Sequence, residues 1–434
     1  MKRSLILFYL FFLSLLSFGQ ENPVYELTLQ QTIGKALEHH QQLKVSEANI
    51  EARKQQKEVA KLQQMPALTF SANAFYLGDV LLLNPDLSKA GSADLPHFGN
   101  TFSLQASQLL YKGGAIRKSV ELADLQTQLA ELDLLRDEQS VKFLVTSHYL
   151  DIYKLLNQKK VLAQNKLLVE QRYANVKKLY EQDMVTRNEL VRAELQIKNL
   201  EQNILIITNN HIILSNRLSY ALALPGDAII IPTEPVDGKS ISPLPYYLEL
   251  AQQKHPSLLS AKQNLTIAQK SIDITKTELY PAISAFGGYN MQRPLTSSTP
   301  ALDLYSNTWQ AGVGLTYNID NLFKTKRRVK AGELQKNTIE QGMELSRQNI
   351  DMEVTAAFVK YNEALQQADL MRESQRLANE NYSIIEAKYL NQLAITAEMT
   401  DATTAKLDAE LQYANAEINV LFQYYNLLKS TGTL

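Results

Sequence analysis

The chain has 434 residues, of which 45% are hydrophobic, and it contains only 16 glycines and 13 prolines, which favours a few long helices over many short elements. The formal net charge is −1 and the longest basic run is Lys326–Arg328, which argues against nucleic acid as a partner. The absence of cysteine excludes a disulfide framework, a thiolate metal site, a cysteine nucleophile and an acylated N-terminal cysteine. We therefore expect no lipid anchor.

The N-terminal residues have the pattern of a signal peptide. Lys2 and Arg3 precede a Leu- and Phe-rich stretch that ends in small residues, and this stretch is short for a membrane-spanning helix. We expect residues 1–19 to be cleaved and the mature chain to be exported. No later segment has the run of about 18 apolar residues that a spanning helix needs.

The two halves of the mature chain resemble each other. Residues 38–76 match residues 253–291 without a gap, so that His40 aligns with His255 and Pro66 with Pro281. Self-similarity over so long a period indicates two copies of one supersecondary unit rather than a solenoid. The predicted division is a signal peptide at 1–19, a first repeat at 20–223, a proline-rich linker at 224–245 and a second repeat at 246–434.

Each repeat has the same predicted order of medium helix, strand, loop, strand, long helix, turn and medium helix. The long helix of the first repeat spans about residues 114–183 and would be roughly 100 Å long. Its apolar residues follow the spacing of a coiled-coil seam. The seam residues are Val145, Tyr149, Ile152 and Leu156 in the first repeat, and Val354, Phe358, Tyr361, Leu365 and Ala368 in the second.

Four strand candidates alternate apolar with small or polar residues and carry no charge. Three are residues 67–77, 101–111 and 309–319, and the fourth ends the matching segment of the second repeat. Their length of about ten residues fits transmembrane β-strands, although a half-buried soluble sheet remains an alternative. The aromatic residues expected at the membrane interfaces are Tyr76, Tyr289, Trp309 and Tyr317.

Four strands cannot close a barrel, and an open sheet edge is not tolerated in lipid. We therefore expect the chain to oligomerise in an outer membrane, with the polar faces of its strands lining a water-filled lumen. Loops 78–100 and 292–307 would lie outside the cell, and the long helices would lie in the periplasm.

The mature chain resembles the TolC-like outer-membrane efflux proteins. The resemblance rests on the order of both repeats, on Pro66 and Pro281 before the strands, on "LYKGG" after the second strand, and on "LAITAEMTDATTAKLDAELQYANAE" near the C terminus. It implies a mixed α and β fold in which three protomers contribute four strands each to a shared twelve-stranded barrel. A periplasmic tunnel of antiparallel coiled-coil helices would continue this barrel.

The resemblance also implies the function and the partners. We expect a homotrimeric, passive exit duct of a tripartite efflux or type I secretion system, carrying small molecules or secreted proteins. A periplasmic adaptor protein and an inner-membrane pump of the RND or ABC type would dock with it and open it, and no cofactor is implied. The alternative is a soluble periplasmic coiled-coil scaffold or adaptor.

The resemblance places the entrance of the tunnel at the helical turns. Glu398 and Asp401 would form an acidic ring of six carboxylates by threefold symmetry, which favours cations. Tyr389 and Glu189 would be gate contacts, while Ala394 stands where a gating arginine is found, so closure is expected to be weaker or to rest on other contacts. The adaptor would dock on the tips Met184, Val185, Thr186, Leu393, Ala394, Ile395 and Thr396, since apolar turn residues favour a partner contact.

Simpler roles remain open for the same residues. Thr186 and Glu189 have the spacing of a capping box. Glu398 and Asp401 could simply interact favourably with the dipole of their helix, and Tyr389 could belong to the helix core.

Catalysis is not expected. The six histidines lack the spacing of a metal motif, and there is no G-x-S-x-G motif, no P-loop and no dinucleotide fingerprint. We therefore predict a protein that is not an enzyme and has no metal site.

Overall fold

The computed structural model describes residues 23–233, 242–298, 301–391 and 393–434. The predicted signal peptide at 1–19 lies outside the described residues, as does the middle of the predicted linker. The chain divides into two compact units. The first contains the chain up to Glu47, Leu132–Leu259 and Leu345–Leu434, and the second contains Ala48–Glu131 and Ser260–Glu344.

The described residues form helices and strands in the predicted order, with additional short strands. The helices are α1 Leu29–His39, α2 Gln41–Leu62, α3 Ala115–Glu181, α4 Arg187–Ala221, α5 Leu244–Lys254, α6 Pro256–Thr275, α7 Asn321–Leu390 and α8 Thr396–Thr431. The strands are β1 Val24–Leu27, β2 Ala67–Tyr76, β3 Val80–Leu83, β4 Lys89–Ala93, β5 Phe98–Tyr111, β6 Ile229–Pro232, β7 Ala282–Arg293 and β8 Ser306–Thr316. None of these helices is long and apolar enough to cross a membrane.

The medium helix of each half is broken at the aligned histidines. His40 and His255 both leave the helical conformation, with ψ of 128° and 121°. In both cases the ring Nδ1 accepts a hydrogen bond of 3.2 Å from the backbone amide two residues later, of Gln42 or Ser257. Burial lowers the pKa of both imidazoles, which favours the neutral ring that can accept this bond. The two histidines therefore restart the next helix in the same way.

The core of the first unit lies along α3. Val145, Tyr149 and Ile152 are fully buried, as the seam predicts. Val145 and Ile152 pack with Leu218 of α4, and the Tyr149 hydroxyl donates to the backbone oxygen of Leu27 at 3.1 Å. Leu27 ends β1, which pairs in parallel with β6. Strand β6 lies inside the predicted linker, and neither of these two short strands was predicted.

The seam of α7 departs from the prediction at two positions, of which the first is Phe358, which is half-buried while the neighbouring Ala357 is buried. Val354 and Tyr361 are buried as expected, but Leu365 is 37% exposed and its neighbour Ala364 is 1% exposed. Tyr361 and Ala364 pack against Ala416 and Val420 of α8. The expectation for Leu365 was wrong, because the small alanine occupies the position that faces α8.

The second unit contains an antiparallel four-stranded sheet in the order β2-β5-β7-β8. Pro281 directly precedes β7, as predicted. The last strand spans Ser306–Thr316, so the predicted boundaries 309–319 were wrong by three residues. Pairing already begins at Ser306 with Gln292, and a turn follows at Ile319 and Asp320. The predicted loop 78–100 contains the hairpin of β3 and β4.

Candidate functional site

The four-stranded sheet has one apolar face. Phe70, Leu104, Tyr289 and Trp309 are paired in one row across all four strands. Their exposed fractions are 68%, 50%, 43% and 80%, so this row is uncovered. Exposed apolar surface of this extent requires a lipid or protein environment.

The opposite face of the sheet is polar. Successive residues of a strand point to opposite faces, so the rows next to the apolar row belong to this second face. The two neighbouring rows are Thr69–Gln105–Gly288–Gln310 and Ser71–Ser103–Asn290–Thr308, and the next row on the same face is Asn73–Thr101–Gln292–Ser306. An exception on this face is Phe286, whose ring lies over Gly312, where a Cβ atom would be 3.0 Å from the ring.

Both edges of the sheet have unpaired backbone groups. In the part of the chain that the structure describes, β2 pairs only with β5, and β8 pairs only with β7. The two edge strands run in opposite directions, because each of the three pairings between them is antiparallel. A β8 edge can therefore pair with a β2 edge of another copy to extend the same antiparallel pattern.

The predicted interface aromatics lie at different heights on this sheet. Tyr76 ends β2, where its ring stacks on His97 at 5.1 Å. Trp309 and Tyr289 form a pair within the strands, nearer to the same end. Tyr317 follows β8 at the opposite end of the sheet and lies just outside the strand.

The first unit carries two helical turns with matching geometry. The turn between α3 and α4 closes with a bond from the Met184 amide to the Leu179 oxygen, and the turn between α7 and α8 with one from the Leu393 amide to the Lys388 oxygen. These bonds measure 2.9 and 2.8 Å. Met184 and Leu393 are 55% and 77% exposed. The residues predicted to dock an adaptor, at 184–186 and 393–396, lie on these turns and at the starts of α4 and α8.

Glu398 and Asp401 are both exposed on the first turns of α8. The Oε2 atom of Glu398 accepts a hydrogen bond of 3.0 Å from the Ile395 amide. Glu398 therefore caps the start of its helix, a contact that is compatible with the simpler dipole role left open for it.

The capping box considered for Thr186 and Glu189 is not formed. Thr186 occupies the N-cap position of α4, but its side chain makes no capping bond. The Glu189 amide donates instead to the backbone oxygen of Thr186 at 3.1 Å. The Oε2 atom of Glu189 is shielded from solvent and has no hydrogen-bond partner among the described residues.

A cavity of about 650 Å³ lies between the two turns, and both predicted gate residues line it. The Tyr389 hydroxyl is 3.5 Å from the Thr396 hydroxyl, which donates to it. No hydrogen bond joins Tyr389 to Glu189 in the described part of this single chain. Ala394 also lines the cavity.

Arg172 of α3 is a polar residue of this cavity that the sequence did not reveal. Its Nη1 atom donates to the Thr403 hydroxyl of α8 at 2.9 Å, and its Nη2 atom donates to Oε1 of Gln196 in α4. Burial lowers the pKa of Arg172, while Tyr382, Tyr389 and Glu386 act in the opposite direction. One guanidinium therefore connects three helices behind the turns.

Tyr382 of α7 lies in the same group. Its hydroxyl donates to Oε1 of Glu386 at 2.9 Å. Burial, and then the hydrogen bond to Glu386, raise the pKa of Tyr382 to about 12. The ammonium group of Lys406 lies 4.3 Å from the centre of its ring. The phenol is therefore held in its neutral form.

A family model, described as outer membrane efflux protein, matches residues 32–224 and 247–433, which together make up most of the chain. The chain belongs to the outer membrane efflux protein family. No curated protein matches the sequence at a significant level.

The fold of this efflux protein is similar to several solved structures. CusC has a TM-score of 0.77 and 15% identity, with 96% of this chain and 95% of that chain covered. VceC from Vibrio cholerae has a TM-score of 0.75 and 14% identity, with 93% and 96% covered. CmeC from Campylobacter jejuni has a TM-score of 0.72 and 16% identity, with 96% and 90% covered. At such identities the likeness establishes the fold.

The family is one of outer-membrane channels rather than of known enzymes. Among the described residues of this efflux protein, no group of three or more His, Asp or Glu could hold a metal ion.

Proposed function

We propose that three copies of this chain form a shared twelve-stranded barrel and act as an outer-membrane exit duct. The observation that carries this proposal is the sheet with one apolar face, one polar face and two unpaired edges of opposite direction. Each unpaired backbone group in lipid costs on the order of several kcal/mol, so the edges must find partners. Pairing β8 of one protomer with β2 of the next closes an antiparallel barrel.

In such a barrel the apolar row with Phe70 and Trp309 would face lipid, and the row with Ser71 and Asn290 would face the lumen. A lumen lined by small polar side chains conducts water and solutes without strong selection. The cargo is therefore proposed only by class, as small molecules or secreted proteins.

The helical turns are proposed as the periplasmic end of the duct. Threefold symmetry would bring Glu398 and Asp401 of each protomer together as six carboxylates, an arrangement that favours cations. The exposed apolar tips with Met184 and Leu393 are proposed to dock a periplasmic adaptor, itself joined to an inner-membrane pump of the RND or ABC type. Tyr389 and Glu189 are proposed to form a gate contact in the assembled trimer. Position 394 is an alanine rather than a gating arginine, and Arg172 is proposed to supply a cation near the gate instead.

The soluble scaffold alternative is supported less well. A soluble sheet buries one face against a core, whereas in this single chain the apolar row is exposed and no residue of the three polar rows is buried. The alternative would need a protein cover for the row that contains Phe70 and Trp309.

Fractionation tests the proposal directly. We expect trimers that resist heat in detergent and that are extracted from outer membranes only with detergent. Release of the protein as a soluble species by osmotic shock would refute the duct. In planar bilayers, the reconstituted trimer should give channels that prefer cations and are blocked by multivalent cations.

A further inference from the structure

The start of α7 carries a concentration of positive charge that the exit duct does not explain. Five cations lie within its first ten residues, and its first turn contains no acidic residue. Cations at the N-terminus of a helix oppose the helix dipole, and neighbouring cations repel one another. The five residues are Lys324, Lys326, Arg327, Arg328 and Lys330. Because these interactions destabilise the start of the helix, we expect the cations to bind an anionic partner.

Three of these cations have partners within the chain. Lys324 pairs with Asp320, Arg328 pairs with Glu278 at 2.6 Å, and Lys330 lies 3.8 Å from Glu333. Lys326 and Arg327 are exposed and form no ion pair with any described residue. These two adjacent side chains are therefore available to an external anion.

This pair follows closely after one end of the four-stranded sheet. Strands β5 and β8 run in the same direction, so their C-terminal ends lie at the same end of the sheet. Helix α7 begins five residues after β8. Between the strand and the cations, Ile319 and Phe323 are 68% and 77% exposed. Phe323, Lys326, Arg327 and Lys330 follow helical spacings of three, four and seven residues, which places them on one side of α7.

The depth of the pair fits a membrane surface. Lys326 lies five residues into α7, which corresponds to about 8 Å along the helix axis. The polar headgroup region on each side of a bilayer is about 5 to 8 Å thick. Exposed apolar residues followed by cations at this spacing match the order of acyl chains and phosphates in a leaflet.

We propose that Lys326 and Arg327 bind the phosphate groups of anionic phospholipids in the leaflet at the end of the barrel where β8 terminates, with Phe323 contacting the acyl chains. The inference rests on the proposed function, because it requires the four-stranded sheet to lie in a membrane. Arginine can hold a phosphate with two parallel hydrogen bonds, and lysine adds a point charge. In a trimer, three such pairs would form a ring around the barrel.

An acidic protein surface is the competing occupant for the same charges. The neighbouring Ile319 and Phe323 favour lipid, because an acidic partner alone would leave these large apolar side chains in water. The surface is therefore assigned to phospholipid.

The test uses the full chain reconstituted into vesicles of phosphatidylethanolamine, with or without phosphatidylglycerol, and native mass spectrometry of the bound lipid. Each cation near an anionic surface contributes about a factor of five, so K326Q/R327Q should weaken phosphatidylglycerol binding about 25-fold at low salt. The matched control K177Q/K178Q changes an adjacent exposed pair in α3 and should leave lipid binding unchanged. K326R/R327K keeps both charges and should retain most of the binding.

Three results would overturn the inference. They are equal lipid binding by K326Q/R327Q and the wild type, an equal loss in the control K177Q/K178Q, and equal occupancy of the pair by inorganic phosphate without vesicles. The last result would mean that the pair binds any phosphate rather than a lipid surface.

Bilayer conductance separates this inference from the proposed duct. Wild-type trimers that conduct in phosphatidylethanolamine alone but show no preference for phosphatidylglycerol would refute the lipid site and leave the duct intact. A wild-type chain that neither inserts nor conducts in either vesicle would refute the duct, and the lipid site with it.

Discussion

The carboxylate of Glu398 accepts a hydrogen bond of 3.0 Å from the backbone amide of Ile395, at the start of the helix that carries both acidic residues of the proposed entrance. Asp401 is exposed and has no hydrogen-bond partner among the described residues. The two carboxylates therefore differ locally, since Glu398 combines a charge with a helix cap and Asp401 supplies a charge alone.

This difference predicts separable effects of substitution. Glu398→Gln keeps an oxygen acceptor for the Ile395 amide, so E398Q and D401N should each reduce cation preference, and E398Q should lower stability less than removal of the acceptor does. Glu398→Ala removes charge and cap together and should also destabilise the start of α8 by about 1 kcal/mol. Reversal potentials in planar bilayers and hydrogen exchange at residues 395–401 measure the two effects. Unchanged ion selectivity in the double variant E398Q/D401N would refute the acidic ring.

Arg172 is predicted to hold the turns in place. Arg172→Met removes the donors to Thr403 and Gln196, and each bond from a charged donor contributes about 1.5 to 3 kcal/mol. Hydrogen exchange in the first turns of α8 should therefore accelerate at least about tenfold. Arg192→Met changes an exposed arginine of α4 and serves as the matched control. The same exchange rates in R172M and R192M would show that Arg172 has no such role.

Tyr382 predicts an alkaline limit to the stability of this region. Its folded-state pKa is raised to about 12, whereas a free tyrosine has a pKa of about 10. The contribution of Tyr382 to the free energy of unfolding is fully present below a pH of about 10. It is lost as the pH rises toward about 12, because this tyrosine ionises at a lower pH in the unfolded chain than in the folded protein. Thermal unfolding followed by circular dichroism should show this loss in the wild type and a smaller loss in Tyr382→Phe. A Tyr180→Phe control, at a more exposed tyrosine of α3, should behave like the wild type.

The sheet could be predicted from the sequence because its faces differ at every second residue. That period is a local property of each strand, and it placed Phe70 and Trp309 on one face. Strands β1 and β6 have four residues each, too few to show a period, and their pairing joins distant parts of the chain. They were therefore missed.

The helix seam shows where hydrophobicity alone misleads. Leu365 is more apolar than Ala364, but the spacing from Val354 through Tyr361 directs position 364 toward α8. Arg172 gave no local signal either, because its partner Thr403 is 231 residues away along the chain. Contacts of this kind depend on how helices pack, which one segment of sequence does not encode.

The two glycines after β5 are predicted to respond differently to substitution. Both have positive φ, of 58° at Gly113 and 78° at Gly114. A Cβ atom at Gly114 would meet no other atom, so Gly114→Ala should cost only the backbone strain of about 1 to 2 kcal/mol. A Cβ atom at Gly113 would lie 2.5 Å from the Tyr280 ring, so Gly113→Ala should cost more.

Thermal dissociation of the detergent-solubilised oligomer measures this difference. A double-mutant cycle with Y280A isolates the ring contact. Since Y280A removes the obstructing ring, Gly113→Ala should cost less in the Y280A background than in the wild type. Equal losses in G113A and G114A would show that the ring contact has no energetic effect.

Gln310 and Ala311 are neighbours in β8 that lie on opposite faces of the sheet. Gln310 belongs to the polar row with Gln105, and Ala311 to the apolar row with Leu68. Gln310→Lys should leave the trimer intact and shift the channel away from cations, because the new charge lies in the lumen. Ala311→Lys should cost about 2 to 4 kcal/mol per protomer near the bilayer midplane and prevent assembly in the membrane. Detergent-extracted trimer yield and single-channel selectivity measure both outcomes. If both lysine variants assembled equally well, neither face would contact lipid, and the sheet would have to be covered by protein.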